Sequence, residues 1–476
     1  MSRLASRLLA MGAGAYALAA SLVYTLVVTR RLPLQDLATL TVFNAGFAVA
    51  LSILGYATTW YPRILAKEPH RFPELAAAGL ITAFIAWAAL AAYMALYGRL
   101  DPAVLALGLG LLALNAWPAG AYLSVHAQRT SALLSYVVQT VKLAGALAVR
   151  ASPSVHAALA VNLLMALPTA AAKAAWPRFK EAWRALADFL RGAPYQTLTI
   201  LTTTAGAAAT YAVYAAGGDA MLAYSYVLFQ LGKSVYPALA IVPLMYGSLL
   251  VERDKLRRAL LDGAVLLYLY LVVAAVMAKS PDWYIALLRP AELDNWELVE
   301  AVRLNAYALL ASGILLHLNT TLLGAEEKAV VTLRDPPAKA LVWDLAAAPF
   351  AVAVTYLLTK HYGAPGMVAA TAISTAVGAA YRLRLLGRRY APLVTQLYAP
   401  ALLTLTAVFL LPLPVLPYAR NNIVALILTY LPNAVIIGAV VLAIQYAASK
   451  PTKLAVSTLL RRIGLAKARD GVLRRA

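Results

Sequence analysis

Apolar runs of about twenty residues, the length an α-helix needs to cross a bilayer, alternate with short charged or proline-bearing breaks along the chain. The first six lie at 8–29, 37–59, 75–97, 102–124, 131–149 and 155–173. The pattern then changes over 174–194. There Phe179, Trp183, Leu186 and Leu190 share one helical face while Arg178, Lys180, Arg184 and Arg191 take the rest, as in a helix lying in the membrane interface. Six more runs follow at 197–216, 221–250, 259–278, 304–324, 338–359 and 366–386, and a last pair at 396–411 and 422–446. The expected architecture is an all-α polytopic membrane protein of about fourteen transmembrane helices. It comprises an N-terminal six-helix half (1–173), an amphipathic connector (174–194), a C-terminal six-helix half (195–390), helices thirteen and fourteen (391–449) and a basic tail (450–476). The first run is too long for a signal-peptide core and ends in Arg30-Arg31, so it reads as a retained helix.

Charge orients this array. With the N-terminus inside, and residues at the ends of spans counted with the adjoining loops, thirty of the 41 Lys and Arg fall in inner segments and nine in outer ones, leaving Lys142 and Lys233 deep within spans. The positive-inside rule therefore places both termini in the cytoplasm and the chain in the cell membrane. A net charge of +21 would suit a nucleic-acid binder, but the basic residues sit in short loops between apolar spans, where lipid headgroups are the natural partners. Only 13% of residues are charged and 62% are hydrophobic, well outside the soluble average. Zero cysteines exclude disulfides and thiolate chemistry, and five scattered histidines have no metal-ligand spacing; no metal or other cofactor is expected.

The polar residues inside spans carry the candidate chemistry. A lysine near the bilayer centre is unfavourable by roughly 2.5–3.5 kcal/mol, so it faces a protein interior or a wet cavity. In 221–250, Tyr226, Gln230, Lys233 and Pro237 recur at i, i+4, i+7 and i+11, one polar stripe on an apolar rod. Gly232-Lys233-Ser234 is not a nucleotide loop, because Val227 stands where that motif requires glycine. In 131–149, Lys142 shares a face with Ser135 and Gln139. Either lysine could instead pair with a buried acid such as Asp344 or Asp262. Asn44, Asn115, Asn162 and Asn319 are expected to link neighbouring helices. The threonines at 197–204 could line a cavity or bond their own backbone, and Pro118, Pro237 and Pro243 are expected to kink spans four and eight.

The two six-span sets echo one another weakly: 61–79 and 245–263 each close a span, cross a charged inner loop and open the next. Duplicated halves with a midplane site are common in transporters. Further features are the turn Thr29-Arg30-Arg31-Leu32-Pro33-Leu34-Gln35-Asp36, Leu54-Gly55-Tyr56 followed by Tyr61, the segment Pro281 to Asn305, and His361-Tyr362-Gly363-Ala364-Pro365-Gly366. In this order, with six, six and two spans, they resemble the polysaccharide or lipid-linked oligosaccharide (Wzx-like) flippases of the superfamily that also holds the multidrug and toxic compound exporters.

The resemblance implies an alternating-access carrier; no enzymatic activity is expected, and the chain is expected to work as a monomer. Its two halves would form a central cationic cavity for the phosphate or diphosphate headgroup of a lipid-linked glycan. The substrate-binding candidates are Lys233, Lys142, Gln230, Gln139, Tyr226, Tyr136, Arg30 and Arg31, with Asp344 as a charge partner or coupling residue. A cation-coupled drug exporter is the alternative, but in that family an acid would be expected in the first spans, and none of the first six contains Asp or Glu. A membrane glycosyltransferase would need a catalytic outer loop; the long outer segment 279–303 reads instead as an interfacial loop with solvated acids.

Overall fold

The computed structural model describes residues 3–190, 193–231, 242, 245, 249, 253–326, 333–413 and 423–462. Lys233, Pro237, Pro243 and the end of the basic tail lie outside the described residues. Among the described residues the structure is helical with no strands, and nine helices are long and apolar enough to cross a membrane. It is a multi-pass membrane protein.

Helix boundaries follow capping chemistry. Asp101 accepts the backbone N–H groups of Ala103 and Val104 at 2.8 and 3.3 Å, opening helix α5 (Pro102–Ala116) with proline in its first turn. Ser154 caps α8 (Val155–Ala171) through the Ala157 N–H at 3.1 Å. Pro118 separates α5 from α6 (Ala119–His126), so the fourth apolar run is two helices rather than one kinked rod.

The chain packs as two compact units, 1–230 with 344–364 and 231–343 with 365–476. In the first, α1 (Arg3–Arg31) lies along α7 (Gln128–Ala151), and α2 (Leu34–Thr58) along α4 (Phe72–Ala95). Gly79 permits a close approach: a Cβ there would meet the Tyr61 hydroxyl and the Ala116 carbonyl, which hydrogen-bond at 2.9 Å.

The connector's helix α9 (Ala182–Leu190) has two apolar faces. Trp183 and Leu190 are exposed, with Trp176 and Phe179 just before them, as suits a lipid-facing edge. Ala182, Ala185 and Phe189 pack instead into the protein, against Tyr61, Leu65, Phe72 and Leu75. That second face was missed in the sequence because two of its three residues are alanines. It is pinned by Arg71, in the turn before α4, which is 6% exposed and donates to Glu74 at 3.0 Å and to Asp188 of α9 at 3.0 Å.

In the second unit, α11 (Lys255–Lys279) packs against α13 (Trp296–Ala325). Residues 281–288 of the supposed outer loop form a short helix, α12, whose Trp283 is buried, donates to the Leu426 carbonyl at 2.8 Å and stacks on Tyr430 at 4.1 Å. The loop is thus a packed element, and of its two tryptophans only Trp296 is exposed. His317 is fully buried, with Nε2 donating to Ala259 O at 3.0 Å and Nδ1 taking the Tyr398 hydroxyl at 2.6 Å. The tail begins as a docked helix, 450–462, in which Pro451 and Thr452 are buried and Ser449 bonds the Gln396 carbonyl at 2.9 Å.

The asparagines divide. Asn319 accepts from Arg382 across two helices; Asn115 bonds its own helix at Leu111 O, and Asn44 is exposed, so neither of those two acts as the expected link. Thr202, Thr203 and Thr204 bond their own backbone four residues back.

Candidate functional site

Apart from Asp344, the described candidate residues of the first unit lie on α1, α7 and α10 (Ala193–Leu231). Lys142 projects from α7 onto α1, where its ammonium donates to the Ser21 hydroxyl at 2.7 Å and sits 5.7 Å from the centre of the Tyr24 ring. Tyr24 in turn donates to the Ala158 carbonyl of α8 at 2.9 Å. No acid pairs with Lys142 among the described residues. Asp262, one of its suggested partners, bonds Arg258 at 2.8 Å. Lys142 is therefore a half-buried cation held by a hydroxyl and a π-face, both of which leave its charge unneutralised.

Gln139 lies one turn below Lys142 on α7, and its buried Oε1 has no hydrogen-bond partner among the described residues. It lines a cavity of about 180 Å³ together with Leu123, Ser131, Leu134, Ser135, Val138 and Thr169. Tyr136 stacks on Tyr16 at 5.8 Å, and the Tyr16 hydroxyl meets Thr140 at 3.1 Å.

On α10, Tyr226 and Gln230 are both buried, at 7% and 5% exposure, and Gln230 Oε1 is also unpaired among the described residues. Lys233, the third member of that stripe, lies outside the described residues. Arg30 is half-buried and Arg31 exposed at the end of α1, roughly 13 Å of helix rise beyond Ser21, so the structure does not bring them to Lys142. Asp344 is half-buried at the start of its span and is engaged by neighbouring groups.

A third cation, overlooked in the sequence, ties α10 to the N-terminal helices. Arg99, in the turn after α4, donates to Asp219, to Thr39 Oγ1 and to the Gln35 carbonyl. Gly218, with φ of 64°, makes the bend that presents Asp219. Beside this contact Tyr97 packs against Tyr211 and Tyr214 at 5.5 and 5.2 Å, and Tyr93 donates to Ala207 O at 2.8 Å. At the opposite end of α10 the links to α2 are neutral: Tyr56 with Thr197, and Gln196 donating to Thr59 at 3.3 Å. Glycines before Arg99 and Asp219 were the available sequence signal.

No family model matches the chain, and no curated protein sequence matches it. Among solved structures, the chain is similar to the lipid II flippase MurJ in an inward closed conformation, with a TM-score of 0.63 over 96% of this chain and 99% of that one at 11% identity. It is also similar to a multidrug resistance MATE family transporter of the MOP superfamily. The inward-facing form gives a TM-score of 0.57 at 15% identity over 79% of this chain and 96% of that one; the outward-facing form gives 0.51 at 16% over 80% and 95%. The chain has the fold these transporters share.

Proposed function

We propose that this protein is an alternating-access flippase that moves a lipid-linked glycan, joined to its lipid through phosphate or diphosphate, from the inner to the outer leaflet of the cell membrane. One observation carries the reading: Lys142 stands within a membrane-spanning helix with a hydroxyl and an aromatic ring, not an acid, for company. A structural lysine in that environment would take a carboxylate, whereas an anion-binding lysine must keep its charge available for cargo. Gln230, Tyr226 and Tyr136 are proposed as further headgroup-binding residues of the same unit, Arg30 and Arg31 as a separate anion contact at the end of α1, and Lys233, outside the described residues, is proposed from its sequence stripe alone. In the first six spans acids stand only in the opening turns of helices, Asp36 in α2, where it accepts the Val155 N–H, and Glu74 in α4, where it is paired with Arg71, and neither is left for a coupling cation, which disfavours a cation-coupled drug exporter.

An inside-negative potential favours outward movement of a dianion by roughly 2.3 kcal/mol per charge per 100 mV, a sufficient drive without an ion site in the N-terminal half. The test is reconstitution in liposomes with a polyprenyl-diphosphate sugar. Translocation that rises with an imposed inside-negative potential and collapses in Lys142→Gln supports the flippase. Sodium- or proton-driven export of cationic drugs by the same liposomes, with no lipid translocation, would replace it by the exporter.

A further inference from the structure

The cavity beside Gln139 differs in chemistry from the cationic site next to it. Ser131, Ser135, Gln139 and Lys142 recur at i, i+4, i+8 and i+11, so they form one stripe along α7, with Gln139 about 4.5 Å of helix rise below Lys142. Every polar group in the cavity is neutral: two serine hydroxyls, the Thr169 hydroxyl from α8 and the Gln139 amide. The rest of the wall is Leu123, Leu134 and Val138. Ser135 already spends its proton on the Ser131 carbonyl at 3.1 Å, while Gln139 Oε1 is a buried acceptor without a donor. Such an acceptor is costly to leave unmade, and a ligand hydroxyl would satisfy it. A wall of neutral hydrogen-bonding groups alternating with aliphatic carbon matches a pyranose, which has hydroxyls at its edge and C–H groups on its faces.

Size narrows the choice. At about 30 Å³ per water, the cavity of about 180 Å³ has room for roughly six waters, on the scale of one sugar ring and too small for an oligosaccharide. In a lipid-linked glycan the sugar within one helical turn of the phosphate is the reducing-end sugar that bears it. We infer that this cavity is a subsite for the reducing-end sugar of the cargo, with Gln139 as its specificity-determining residue and the remaining sugars outside it. The inference rests on the proposed flippase reading for the neighbouring phosphate, but its test separates the two.

The purified full chain in detergent would be titrated with two probes, a short-chain polyprenyl diphosphate and the same lipid carrying a single N-acetylhexosamine, with affinity read by native mass spectrometry. The wild type binds the sugar-bearing probe more tightly. Gln139→Leu reduces that preference about fivefold, the size of one neutral hydrogen bond. Ser135→Leu, which fills the cavity, reduces it by a similar factor, and its retained binding of the bare diphosphate certifies the fold. Lys142→Gln weakens both probes alike. Equal binding of the two probes by the wild type, or a preference that survives both Gln139→Leu and Ser135→Leu, overturns the subsite. If Lys142→Gln leaves the bare diphosphate unaffected while Gln139→Leu still removes the sugar preference, the phosphate assignment falls and the sugar subsite stands.

Discussion

Arg71 and Lys142 are both cations withdrawn from water within the first compact unit, and their surroundings are opposite. Arg71 is enclosed by Glu74, Asp188 and Glu68, its guanidinium fork matched to carboxylates on two segments more than a hundred residues apart. Lys142 has a serine hydroxyl and a tyrosine ring. The first arrangement neutralises a charge and fastens α9 to the body of the unit; the second leaves a charge without a counter-ion, as the proposed headgroup binding requires. Burial alone does not separate the two cations. The character of their partners does, since a paired buried charge is satisfied and an unpaired one still attracts an anion.

The comparison is broken most forcefully at Arg71. Arg71→Met leaves Glu74, 4% exposed, without its counter-ion, and breaking a buried pair this way costs about 3–5 kcal/mol. Thermal melting of the purified variant should drop sharply; an unchanged melting curve would remove the distinction drawn here. Lys142→Gln should do the reverse. Its melting should stay close to wild type while translocation falls roughly ten- to a hundredfold, the loss of one hydrogen bond to a charged group, and Lys142→Arg should recover part of it. A variant that instead fails to fold would put Lys142 with Arg71.

Arg99 sharpens the contrast because it lies between the two. It has one acid, Asp219, and the pair is only partly buried, at 13% and 43% exposure. Arg99→Gln should therefore change stability by no more than about 1 kcal/mol. Its effect should appear in the conformational balance instead, as faster labelling from outside of a cysteine placed at Tyr214 in a chain that has no native thiol. Labelling as slow as in a control retaining Arg99 would show that the ion pair does not hold that end of α10.

The smallest effect concerns Asp101, at the start of α5. Burial would raise its carboxyl pKa, but hydrogen bonds from His156 at 2.7 Å and from the Val104 and Ala103 N–H groups outweigh this and hold it below the usual 3.8. A carboxyl whose folded pKa is depressed stabilises the protein above its unfolded value and loses that contribution as pH falls through the folded one. Melting temperature should thus decline slightly more steeply in the wild type than in Asp101→Asn as pH is lowered from 5 toward 3, and parallel curves would contradict the assignment.

Much of the helical framework was legible without coordinates, while the candidate site was legible only in part. Lys142, Gln139 and Tyr136 announce themselves as polar positions inside an apolar run. Arg99 and Asp219 do not, because a charged residue in a loop looks the same whether it faces solvent or meets a partner 120 positions away. The buried face of α9 escaped notice for a related reason: alanine carries little hydrophobic signal, yet Ala182 and Ala185 let a helix approach closely enough to bury Phe189. Trp283 likewise reads as an interfacial tryptophan until Tyr430, almost 150 residues on, is found stacked against it.

The sequence by itself determined the all-helical, membrane-spanning class and the position of nearly every long helix among the described residues. In hydrocarbon each segment must satisfy its own backbone hydrogen bonds, so the decision is made locally, residue by residue, from apolar length and the caps at its ends. Tertiary structure alone decided which cations are neutralised and which polar groups surround a space. Those outcomes depend on side chains brought together from distant helices, Lys142 with Ser21 and Arg71 with Asp188, and no local pattern encodes such a meeting.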